Sequence, residues 1–149
     1  MSAGLERLRA AMRSQGGLLA GTVSGDPVVA HDGRPDPAAT AGAGPRVSGY
    51  CEEVELAVAA VREGYELHYG QPRALRIEDP DLRLLAGDRL YALGLARLAA
   101  VGDLVAIAEL ADIISLSAQA HAGADDELAG VAWEAGAAAI GWGREASGE

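Results

Sequence analysis

The stretch from Asp79 to Gly123 reads DPDLRLLAGDRLYALGLARLAAVGDLVAIAELADIISLSAQAHAG. Asp79 suits a helix N-cap, and Pro80 suits the first helical position, where its missing N–H is no loss. Leu82, Leu85, Leu90, Leu93 and Leu98 spread over more than one helical face, which predicts neighbours on several sides. Gly87 and Gly94 lie two turns apart on one side. Glycine inside a helix costs about 1 kcal/mol relative to alanine, so the pair predicts a close helix–helix approach. Val101-Gly102-Asp103 is a tight break, with Gly102 ending one helix in the left-handed conformation and Asp103 capping the next. So short a connection favours antiparallel neighbours. The second helix should run to about His121. It is apolar on nearly every side, with a thin polar stripe of Glu109, Asp112, Ser115 and Gln119. Glu109 and Asp112 interrupt the apolar run from Leu104 to Ala120, so the expectation is a buried core helix and no membrane span. This pair of helices is expected to be the structural centre.

On the N-terminal side, Tyr50 to Tyr69 predicts a helix. Val54, Ala57, Val58, Val61 and Tyr65 make one apolar stripe. Glu52, Glu53 and Glu55 crowd the start, where the helix dipole favours negative charge, and Gly70 and Pro72 supply the stop. Residues 21–49 are rich in Gly, Pro, Asp and small side chains, with no helical or strand period, and read as a long surface loop. Before it, Ser2 to Ser14 is a short helix with Leu5, Leu8 and Met12 on one side and Glu6, Arg7, Arg9 and Arg13 on the other. Ser2 suits its cap, and Leu18, Leu19 and Ala20 suit an anchor after the Gly16-Gly17 break.

On the C-terminal side, Asp125-Asp126-Glu127 charges a helix start after Gly123. Leu128, Val131, Ala135, Ala138 and Trp142 form its stripe. The sum is an all-α fold, a helical bundle of four to five helices with a long Gly/Pro-rich loop near the N-terminus. It divides into an N-terminal helix at 1–20, the loop at 21–49 and the bundle at 50–146, as a single domain.

The chain has 149 residues, half of them hydrophobic, enough to bury a core without covalent staples. Its net charge is −10 and its pI near 4.7. Such an acidic balance disfavours phosphate backbones, so no nucleic-acid partner is expected. Every basic residue other than histidine is arginine, and Lys, Asn and Phe are absent, as in the coding bias of a GC-rich bacterium. The single Cys51 excludes an internal disulfide and fits a reducing cytoplasm, and no secretory signal is legible.

Candidate site residues are few. Asp88 stands among Leu84, Leu85, Tyr91, Ala92 and Leu95, where an acid is costly to bury unless paired. It reads as a site residue or, preferably, as a latch at a helix seam with Arg62 or Arg89. Ser117 and His121 lie four apart on one helix, but a nucleophilic triad needs a third group that orients the base, and a structural serine is the simpler reading. His31, His68 and His121 are dispersed, with no metal-ligand spacing, so neither a metal nor a cofactor is expected. Cys51 has no neighbouring cation to stabilise a thiolate. Glu63, Glu66 and Glu78 read as a solvated face, and Trp133 and Trp142 as core.

At Leu84 to Ala99 the sequence resembles the trans-polyprenyl diphosphate synthases. Ala86, Gly87, Asp88 and Leu90 match that family's A-G-D-x-L segment. Leu110 to Gln119 loosely matches the following helix, with Ala118-Gln119 where the family prefers Gly-Gln. The family's D-D-x-x-D motifs, which hold magnesium on the substrate diphosphate, have no counterpart here. Asp125-Asp126 is followed by Glu127-Leu128-Ala129, and the neighbouring arginine pair is missing. The resemblance therefore implies a small non-catalytic component of a heterodimeric synthase. It would bind a catalytic polyprenyl synthase subunit, influence isoprenoid chain length and border an isoprenoid ligand. Asp88, Gly87, Tyr91, Asp112 and Gln119 are its structural or pocket candidates. The alternative is a stand-alone helical adaptor or a self-associating protein with no isoprenoid link.

Overall fold

The computed structural model describes residues 3–23, 25 and 33–144. They form an all-α structure: α1 (Ala3–Gln15), the single turn α2 (Gly17–Ala20), α3 (Pro37–Gly42), a 3-10 turn (Pro45–Val47), α4 (Cys51–Tyr69), α5 (Pro80–Val101), α6 (Leu104–Ala122) and α7 (Asp126–Trp142). The Ser2 cap, the Leu18 side chain and His31 lie outside the described residues. One isolated antiparallel bridge joins Val23 to Leu75.

The centre of the molecule is α4 rather than the pair that follows it. Val54, Leu56 to Val61, Glu63 to Tyr65 and Leu67 are all buried, and α1, α3, α5 and α6 all touch this helix. Its small residues make this possible. A Cβ on Gly64 would lie 2.7 Å from the Gly87 carbonyl, and one on Gly94 would lie 2.7 Å from the Ala57 carbonyl. The expected close approach at Gly87 and Gly94 is thus present, with α4 as the partner.

Capping follows the sequence closely. The Asp79, Asp103 and Asp125 side chains accept from the backbone N–H groups of Asp81, Ala106 and Leu128 at 3.0 Å each. Gly102 ends α5 at φ 89°, in the left-handed region.

Three expectations about packing are corrected. The helices on either side of Gly102 share few contacts: α5 lies along α4, and α6 along α7. The tight turn fixes the junction but does not hold the two helices side by side. Secondly, α5 fully buries only one strip, Ala86, Gly87, Leu90, Gly94 and Leu98; Leu82, Leu93 and Leu95 are half-buried against the core, and Leu84 and Leu85 are exposed. Thirdly, α6 buries Ala106, Glu109, Leu110, Ile113, Ser117 and Ala120 and leaves the rest of its circumference half-buried or open. It is not the buried core helix its composition predicts. By length and composition alone, Leu104–Ala122 is long and apolar enough to cross a membrane.

Residues 37–47 depart from the expected loop. Pro37 opens α3, the Asp36 side chain accepts from Ala39 N–H at 3.2 Å, and Ala38 and Ala41 are buried. Alanines of this size fill the narrow space against α4 and α7 without creating a hydrophobic period a sequence reading can detect.

Candidate functional site

The residues singled out from the sequence do not converge on one site. Asp88 has a side chain 70% exposed, and its carboxylate lies 3.2 Å from His68 Nε2 rather than against Arg62 or Arg89. Leu84 and Leu85 beside it are open to solvent, so the carboxylate is not buried in an apolar surface. His68 also approaches the Leu84 carbonyl at 3.1 Å and packs edge-on against Tyr91, with centroids 5.1 Å apart. Gly87 is buried against α4, and Tyr91 covers Gly64. Burial pushes the Tyr91 phenol well up, so it stays protonated near neutral pH. Asp112 is exposed and accepts from Arg144 at 3.0 Å, and Gln119 donates to Ser115 at 3.2 Å.

The nucleophile reading fails on geometry. Ser117 donates back to the Ile113 carbonyl at 2.6 Å, while His121 Nε2 meets the Tyr65 hydroxyl at 2.6 Å. Burial raises the Tyr65 pKa, so that phenol is also neutral. Among the described residues, no group of three or more His, Cys, Asp or Glu could hold a metal ion.

Four charged positions take roles the sequence does not show. Glu63, expected on a solvated face, is 2% exposed. Its carboxylate accepts from the backbone N–H groups of Arg73, Ala74 and Leu75 at 2.9, 2.8 and 2.9 Å, which pins the α4–α5 connection. Burial raises its pKa, with the three N–H donors opposing that shift. Arg9, expected on the polar side of α1, is buried and donates to the Gly25 carbonyl at 3.1 Å. Asp103 does more than cap α6. It accepts from Arg46 at 2.6 Å and from the Tyr50 hydroxyl at 2.8 Å, and Arg46 in turn donates to the Ile140 carbonyl at 2.7 Å. Burial alone would raise the Asp103 pKa; Arg46, the Ala106 N–H and Tyr50 outweigh it and hold the carboxyl below its ordinary range. Trp133 is core as expected, but Trp142 is exposed.

What stands out is apolar surface without a neighbour. Along α5, Leu84, Leu85, Ala92, Ala96, Ala99 and Ala100 are exposed. Along α6, Leu104, Val105, Ala108, Ala111 and Leu116 are exposed, spaced at one side of a helix. Leu85 is 67% and Leu104 74% exposed. A scattered exposed leucine is ordinary, but two rows meeting at the 101–103 turn form the kind of surface that marks an interaction site.

No family model matches the chain, and no curated protein or solved structure matches it either.

Proposed function

We propose that this protein is a non-catalytic helical subunit that binds a catalytic polyprenyl diphosphate synthase and influences isoprenoid chain length. The observation that carries the reading is the pair of exposed apolar rows on α5 and α6. The segment resembling the synthases, Leu84 to Ala99, lies in α5, and the looser match, Leu110 to Gln119, lies in α6. Both parts of the resemblance therefore sit on the elements with unpartnered surface. In this reading the bundle, with the Gly/Pro-rich stretch near its N-terminus, is a scaffold that presents α5 and α6 to a partner in the cytoplasm of a GC-rich bacterium. The partner supplies the magnesium-binding aspartates, and the apolar rows border the growing prenyl chain.

Self-association is the second reading. Asp88 and Arg89 are exposed within the α5 row and Asp112 within the α6 row, so two copies meeting there would bring charges of both signs together with the apolar side chains.

Co-expression with a synthase bearing D-D-x-x-D from the same genome tests the first reading. A stable complex and an altered product length are expected. A synthase that neither binds this chain nor changes its product length removes that reading; a homodimer seen by light scattering would then leave the second.

A further inference from the structure

A groove runs between the end of α1 and the flank of α5. Two cavities make it up, of about 420 and about 240 Å³, and they share Met12, Gln15 and Arg89. The larger is lined with Leu19, Leu82, Leu85 and Ala86, the smaller with Leu90, Ala92 and Leu93. Met12, Leu19, Ala86 and Leu90 are buried and form the floor, and Leu85 stands exposed at the rim. Gly16 and Gly17, at the α1–α2 break, also line the larger cavity, and having no side chain they leave that end open. A volume above about 300 Å³ with a mostly apolar lining and few polar groups is what small-molecule sites share. Among the described residues, Arg89 is the one charged side chain lining either cavity, and no carboxylate lines them. Its guanidinium has no hydrogen-bond or ion-pair partner among those residues. The positions three and four away along α5 are Leu85, Ala86, Ala92 and Leu93, so no helical neighbour neutralises it. Asp88, beside it in sequence, lies 3.2 Å from His68 instead. The groove lining is therefore positive although the chain as a whole carries −10.

We propose that this groove binds a linear fatty carboxylate of about eight carbons, with its headgroup at Arg89 and its chain running along α5 toward Leu82 and Leu19. Leu82 lies two helical turns before Arg89, about 10 Å along the axis, which is the reach of about eight extended carbon atoms. The volume suits such a chain, since about 150 Å³ already accommodates the six carbons of benzene. One unpaired guanidinium matches one negative charge, and it pairs carboxylates in a fork of hydrogen bonds. Gln15 adds a neutral amide donor to the same lining. The site borders the exposed row of α5 through Leu85, but it does not rest on the synthase reading.

The test is a titration of the full chain, labelled with ¹⁵N and with ¹³C at its methionine methyls, with sodium octanoate below its micellar concentration. Octanol, its neutral counterpart, and sodium butyrate, its short one, are titrated separately. Octanoate should move the Met12 methyl resonance saturably and leave the indole N–H of Trp133, which lines no part of the groove, in place. Butyrate should bind at least about tenfold more weakly, because it buries fewer methylenes. Arg89→Gln should weaken octanoate by about threefold and leave octanol unchanged, and Arg89→Lys should recover part of the loss. Arg89 is exposed, so the fold does not depend on its side chain. Leu104→Glu on α6 should bind octanoate like the parent, which separates this site from the synthase-binding surface. A Met12 resonance that does not move, butyrate binding as tightly as octanoate, undiminished octanoate binding to Arg89→Gln, or an equal loss for octanol would each overturn the proposal.

Discussion

Asp103 shows how much one side chain can hold. It caps α6, and through Arg46 it fixes the 3-10 turn to the end of α7 at the Ile140 carbonyl. Removing it takes the acceptor from the Tyr50 hydroxyl and from one end of the Arg46 guanidinium, whose other end keeps the Ile140 carbonyl, and breaking such a largely buried pair together with the cap costs about 3 kcal/mol. Asp103→Ala should lower stability by that order in chemical denaturation. The cap was legible from the Gly-Asp break; Arg46, 57 residues away, was not. The pH dependence follows from the lowered pKa. The stability this carboxylate contributes is fully present above its ordinary value near 3.8 and is lost as pH falls below that value through the lowered value of the folded protein. Asp103→Asn should flatten that part of the thermal-stability profile; an unchanged acid limb would contradict the assignment. Glu63 is the parallel case. Glu63→Ala leaves three backbone donors unmet, with an expected loss of about 1–3 kcal/mol and faster amide exchange at Ala74 and Leu75. Position alone cannot distinguish a solvated glutamate from one folded under a loop, because its partners are backbone N–H groups that every sequence carries.

At the scale of elements, helix boundaries were largely written in the chain. The caps at Asp79 and Asp103 and the stop at Gly102 are local chemistry, and the structure places all three at helix ends; Asp125, legible only as charge at a helix start, caps α7 as well. Which helix lies at the centre was not legible in the same way. Bulky leucines and isoleucines drew attention to α5 and α6, whereas α4 is buried through alanine, valine and glycine. Small residues signal depth through what they allow to approach, which depends on a partner far along the chain. Gly94 and Gly64 are the critical positions. Gly94→Val should force α5 away from Ala57 and Val61, lowering stability by about 1–3 kcal/mol. A variant as stable as the parent would show that α5 and α4 are not in contact there.

For the molecule as a whole, an all-round apolar helix has two meanings that composition does not separate. It can be buried by its own chain, or it can await another surface. The α6 helix does the first along one strip and leaves the opposite side open. The candidate residues divide along the same line: Gly87 and Tyr91 serve the α4–α5 seam, while Asp88, Asp112 and Gln119 lie on exposed surface. Replacing Leu85 and Leu104 with glutamate should change stability by less than about 0.5 kcal/mol, since both side chains are exposed. The same double variant should fail to bind the synthase partner.

Hydrogen–deuterium exchange on the chain, alone and mixed with that synthase, tests the central claim most directly. The account predicts slowed exchange confined to α5 and α6, strongest from Leu84 to Leu116, with α1 and α3 unchanged. Protection elsewhere, or an exchange pattern that the synthase leaves untouched, would contradict it.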